Sequence, residues 1–77
     1  MAISAQNQFK GTLISIKNGS VMSEVAIDIG GGNIIHSLIG ASSVKRLKLK
    51  KGAKVVAIIK ATEVIVSTDL PAEEFRK

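Results

Sequence analysis

The chain has 77 residues, 45% of them apolar, with two Phe and neither Trp nor Tyr. Its eleven Ile and seven Val make that apolar content largely β-branched, which favours strands over helices. With no Cys and a single His, neither disulfides nor a Cys/His zinc site can brace a domain this small, so partner subunits are expected to do so.

Phe9 to Lys17 is a β-rich run that ends at Asn18-Gly19, a strong hairpin signal, and Val21 to Ile29 follows it. A tight turn between two strands is expected there. In the second run Val25, Ile27 and Ile29 fall on one face and Glu24, Ala26 and Asp28 on the other, the pattern of a half-buried strand. Gly30-Gly31-Gly32-Asn33 breaks the chain and permits positive φ. A phosphate loop would need a later Gly-Lys-Ser/Thr and a helix, whereas Ile34 to Ile39 reads as a third strand.

Ala41 to Leu47 is the one segment with helical spacing, with Ser42 or Ser43 placed to cap its first turn and Val44 and Leu47 on one face. Lys51-Gly52 marks another turn. Val55 to Ala61 and Val64 to Ser67 are apolar runs of strand length separated by a bend at Thr62-Glu63. The expected fold is all-β: a small five-stranded barrel of the oligonucleotide/oligosaccharide-binding (OB) type with one short helix. Residues 1–68 form the expected single domain and 69–77 a tail.

Net charge is +5, of which residues 69–77 contribute −1 and residues 1–68 contribute +6. Lys45, Arg46, Lys48, Lys50, Lys51 and Lys54 stand together without an intervening acid. Such a run attracts anions and raises nucleic acid as an alternative partner, although single-strand binders add aromatic stacking platforms that this run lacks. Its plainer role is a solvated loop that keeps an apolar protein soluble. The segment MAISAQNQ has no secretory pattern and no apolar run nears the roughly 18 residues of a membrane span, so a cytoplasmic location without membrane partners is expected.

Catalysis finds little material. His36 is the only imidazole, and Glu24 and Asp28 stand about 13 Å apart along one strand face, too far for a cooperating pair. No serine sits in a nucleophile-elbow pattern. A binding protein is expected rather than an enzyme.

Ser4-Ala5-Gln6-Asn7-Gln8, then Phe9-Lys10-Gly11 and Ile14-Ser15-Ile16-Lys17-Asn18-Gly19, resembles the opening of the Mop family of molybdate-binding proteins, the molbindins. Ser23-Glu24-Val25, the Gly-Gly-Asn turn, Ser43-Val44-Lys45-Arg46-Leu47, Leu49-Lys50-Lys51-Gly52 and Ala57-Ile58-Ile59-Lys60-Ala61-Thr62 continue that pattern in order. The resemblance runs over about residues 3 to 68 without a gap. It implies a TOBE-like domain that assembles as a homohexamer, a trimer of dimers, and holds molybdate or tungstate between subunits as a cytoplasmic store.

By that resemblance Ser4 and Gln6 of one chain, with Ser43, the backbone near Val44, Lys60 and the backbone near Ala61, hold the oxyanion across a dimer interface. Molybdate is a tetrahedral dianion whose oxygens only accept hydrogen bonds, so hydroxyls, N–H groups and cations suit it and carboxylates do not. Ser4, Ser43 and Lys60 meet that requirement. One position departs from the family pattern: Gln6 stands where the family has Arg, a neutral amide in place of a cationic, multi-donor group.

Overall fold

The computed structural model describes residues 3–68; the expected tail at 69–77 lies outside them. Strands β1 (Asn7–Lys17), β2 (Met22–Gly30) and β3 (Asn33–Gly40) are followed by helix α1 (Ala41–Arg46), strand β4 (Lys54–Ile59) and a 3-10 turn at Ala61–Glu63. They form one four-stranded antiparallel sheet in the order β3-β2-β1-β4.

The sheet curls because β1 serves two neighbours in turn. Asn7 to Thr12 pair with β4, and Thr12 to Lys17 pair with β2. At the handover the register shifts between Leu13 and Ser15, a bulge that bends the strand. Ile14 is the extra residue there, and Leu13, opposite Ile27, bonds to the chain before β4: its N–H donates to the Ala53 carbonyl at 2.9 Å, and its carbonyl accepts from the Gly52 N–H at 2.7 Å. Gly11 makes the close crossing possible, since a Cβ on it would stand 2.6 Å from the Asp28 carbonyl oxygen and 2.7 Å from Ile27 Cγ2.

The concave side carries the core: Leu13, Val25, Ile27 and Ala57, with Ile16, Ile29, Ile35, Ile39, Leu49, Ala53 and Val55 packed around them. The alternation expected on β2 holds, with Val25 and Ile27 buried and Glu24 and Asp28 exposed. Ala26, on the outer face, is also buried. Its Cα partners on the two sides are Ser15 and His36, and its methyl is too short to rise above its neighbours.

Five expectations are corrected. The tight hairpin is not at Asn18-Gly19, where residues 18–21 form a longer connection, but at Gly31-Gly32. There Gly30 pairs with Asn33, and the two central glycines have φ of 64° and 79°, the positive values that a two-residue hairpin of matching twist requires. Asp28 and Asn33 brace it: Asp28 Oδ1 accepts from the Gly30 N–H at 2.8 Å, and Asn33 Nδ2 donates to the Gly30 carbonyl at 3.1 Å.

The helix stops at Arg46, one residue short of the expectation, and Gly40 occupies its N-cap without a side-chain hydrogen bond. Neither Ser42 nor Ser43 caps it, because both lie inside the first turn rather than ahead of it.

Strand β4 ends at Ile59, so Ala61 belongs to the turn that follows rather than to the strand. Val64 to Ser67 is not a fifth strand: the expected OB-like fold with one short helix is present, built as a curled sheet of four strands among the described residues. The turn is held by Glu63 N–H to the Lys60 carbonyl at 2.9 Å and Val64 N–H to the Ala61 carbonyl at 3.3 Å.

Candidate oxyanion site

The register of β1 on β4 sets where four of the expected residues enter and leave the sheet. Asn7 lies opposite Ile59, and one step beyond the ladder places Gln6 at the level of Lys60. Ser4 and Gln6 enter on the strand side of this corner, and Lys60 and Ala61 on the turn side. Ser4, Gln6, Lys60 and Ala61 are all exposed.

The entering segment is held by Gln8, whose Nε2 donates to the Ala5 carbonyl at 2.6 Å. That bond ties Gln8 to the backbone between Ser4 and Gln6, and Gln8 is a residue of the Ser-Ala-Gln-Asn-Gln motif outside the expected ligand set.

Charge at the corner is available. The one ion pair among the described residues joins His36 Nδ1 and Glu24 Oε2 at 3.8 Å, both side chains well exposed. Lys60 therefore has no carboxylate partner among the described residues. Glu63 lies in the same turn and is exposed, which lowers the local positive potential.

Ser43 and Val44 belong to a different part of the molecule. Helix α1 is seated on β2 and β3 and begins where the Ala41 N–H donates to the Val21 carbonyl at 2.8 Å. Val44 is buried, and its carbonyl accepts from the Leu49 N–H at 3.0 Å. Ser43 is half-buried, with its Oγ receiving a long 3.4 Å hydrogen bond from Arg46 Nη2. None of the side-chain hydrogen bonds among the described residues links this group to the Gln6–Lys60 corner. Within one chain Ser43 and Val44 lie on α1, while Ser4 and Gln6 precede β1 and Lys60 and Ala61 follow β4.

Two depressions mark the surface, and neither is the expected pocket. The concave trough, about 390 Å³, is lined by apolar side chains of all four strands, with Leu47 and Leu49. A wider groove is lined by Lys10, Gly11, Thr12 and Lys54 beside Leu47, Leu49, Val55 and Val56, with Lys54 Nζ donating to Thr12 Oγ1 at 3.1 Å. Neither contains Ser4, Gln6, Ser43 or Lys60. The basic residues from Lys45 to Lys54 are all exposed, and Phe9, the one aromatic among the described residues, lies on β1 opposite Ala57 and lines neither depression.

A family model for the TOBE domain matches residues 3–66. The chain belongs to the TOBE family, on its Mop branch. This TOBE chain is 52% identical over 69 residues to the probable molybdenum-pterin-binding protein of Haemophilus influenzae, a match covering 90% of this chain and 100% of that protein. MopII from Clostridium pasteurianum superposes with a TM-score of 0.81 at 44% identity, covering 86% of this chain and 98% of MopII. The cytoplasmic molybdate-binding protein ModG, in a form with molybdate bound, superposes with a TM-score of 0.76 at 44% identity, covering 79% of this chain and 43% of ModG. No described helix of the TOBE chain is long and apolar enough to cross a membrane, and no described cluster of His, Asp and Glu could hold a metal cation.

Proposed function

We propose that this chain binds molybdate reversibly, as a cytoplasmic molybdenum store without catalytic activity, at sites that two subunits build together. Residues 1–68 act as the single binding domain, followed by a tail. The observation that carries the reading is the corner where Gln6 reaches the level of Lys60, set beside the likeness to molybdenum-binding relatives. A lysine ammonium, a serine hydroxyl and an amide supply donors and positive charge, which is what an oxyanion with acceptor oxygens alone requires.

Ser4, Gln6, Lys60 and Ala61 act as one half-site, and Ser43 with the backbone near Val44, from a neighbouring subunit, as the other. The placement of the two groups on separate elements of one chain supports a division between chains. A homohexamer arranged as a trimer of dimers provides such interfaces, and tungstate, with the same shape and charge, enters the same sites.

Isothermal titration is the test. Molybdate and tungstate are expected to bind, with sulfate far weaker, and the absence of any heat with molybdate overturns the reading. Retention of an oligonucleotide that weakens steeply with salt, in place of molybdate binding, would instead favour the basic run as a nucleic-acid surface.

A further inference from the structure

We infer that Arg46 is a further oxyanion ligand, a guanidinium that stands beside Ser43 on α1 and supplies the second positive charge that a dianion calls for. This deepens the proposed function and rests on it for the anion and for the place of Ser43 in the site.

Charge is short in the proposed ligand set. Among Ser4, Gln6, Ser43, Val44, Lys60 and Ala61 only Lys60 is a cation, and molybdate is a dianion. Gln6 offers amide hydrogen bonds without charge. Glu63, in the same turn as Lys60, opposes even that single charge. A dianion drawn out of water into a contact between subunits leaves a costly excess of negative charge unless a second cation meets it.

The basic run holds six candidates between residues 45 and 54, and the structure singles out one. Two of them make a side-chain hydrogen bond among the described residues: Lys54, turned to Thr12 Oγ1 on β1, and Arg46, whose Nη2 donates to Ser43 Oγ at 3.4 Å. Arg46 follows Ser43 by three positions on α1, so the two side chains share a face of the helix. Lys45, two positions on from Ser43, does not.

The guanidinium has capacity for an anion. Its long bond to Ser43 engages one of several N–H donors, and no acid stands between Ala41 and Lys54 to neutralise it. The one ion pair among the described residues joins His36 and Glu24 instead. Ser43 Oγ accepts from Arg46, which leaves its own O–H to donate, so hydroxyl and guanidinium present adjacent donors. A planar fork of N–H groups can pair with two oxygens of a tetrahedral ion, a geometry that an ammonium lacks. Arg46 is exposed and Ser43 half-buried, so the charged group can reach an ion lying over the hydroxyl.

Titration calorimetry with molybdate on the full chain and its variants tests this. Arg46→Gln is expected to weaken binding roughly tenfold or more, the loss of a charge-assisted bond. Lys45→Gln makes the same change of charge one residue away and is expected to weaken binding less than about twofold, as screened surface charge does. Gln6→Arg made in the Arg46→Gln chain returns a cation to the same ion, so its gain in affinity there is expected to exceed its gain in the native chain at least about threefold. A structural role for Arg46 would not produce that rescue, because position 6 lies before β1 and not on α1. Unchanged affinity in Arg46→Gln, an equal loss in Lys45→Gln, or equal gains from Gln6→Arg in the two backgrounds overturns Arg46 as a ligand and leaves the proposed function standing. Absence of molybdate heat with the native chain overturns the proposed function, and this ligand with it.

Discussion

Asn7, at the first step of β1, is the direct antiparallel partner of Ile59, at the last step of β4. Everything proposed for the corner beyond them follows from that register, since a slip of one residue would turn the neighbouring side chains to opposite faces. Gln6 and Lys60 are brought to one level although 53 positions separate them in the chain.

Lys60 is the cation among the expected ligands. Lys60→Ala is expected to weaken molybdate binding at least tenfold, measured by titration calorimetry, while the oligomer persists in sedimentation. Gln6→Arg restores the family's cation beside it. A charge-assisted hydrogen bond exceeds a neutral one by roughly 1 kcal/mol, so about fivefold tighter binding is expected. Unchanged affinity in both variants would remove these residues from the site.

Gln8 acts through the backbone it holds. Gln8→Ala removes the donor to the Ala5 carbonyl and frees the Ser4–Gln6 segment. Molybdate affinity is expected to fall several-fold while the denaturation midpoint barely moves, because the bond is exposed and contributes on the order of 1 kcal/mol at most. A loss of stability equal to the loss of affinity would show a structural rather than a positioning role.

Ser23 is 1% exposed, and its Oγ has no hydrogen-bond partner. It stands two residues before Val25 on the core side of β2, where an unpaired hydroxyl costs about 1–3 kcal/mol. Ser23→Ala removes the unpaired group and leaves a void of little more than an oxygen atom. Urea denaturation is expected to show a gain of about 1 kcal/mol, and a clear loss would mean that the hydroxyl has a partner in the assembly.

Gly11 sits where β1 crosses β2 most closely. Gly11→Ala forces a methyl to within 2.6 Å of the Asp28 carbonyl oxygen, which is main chain and cannot turn aside. Overpacking of this kind costs about 1–3 kcal/mol. The expected result is a lower midpoint in urea at unchanged slope, and a stable Gly11→Ala variant would place the crossing elsewhere.

Much of the sheet was legible because β2 alternates cleanly and glycines punctuate the chain. Val25 and Ile27 declared their buried face, and Gly31-Gly32 its turn. Asn18-Gly19 misled, since the dipeptide favours a two-residue turn only when strand pairing reaches it, and here the ladder stops at Lys17 and Glu24. Ser42 and Ser43 looked like caps because composition does not show which residue precedes the first helical φ.

The candidate site divided along the same line. Its residue types were legible from the ordered motif, but the meeting of Gln6 with Lys60 is a matter of register, and the placement of Ser43 on α1 a matter of tertiary packing. Val64 to Val66 read as a strand on propensity, and propensity alone does not place a segment in a sheet.

The most direct test of an oxyanion held between subunits is native mass spectrometry of the full chain with and without molybdate. The account predicts an oligomer, a hexamer in its full form, that gains a fixed number of ions, with no ion on any dissociated single chain. It also predicts that Lys60→Ala lowers that number without changing the oligomer. Single chains that carry molybdate, or an oligomer that gains none, would contradict it.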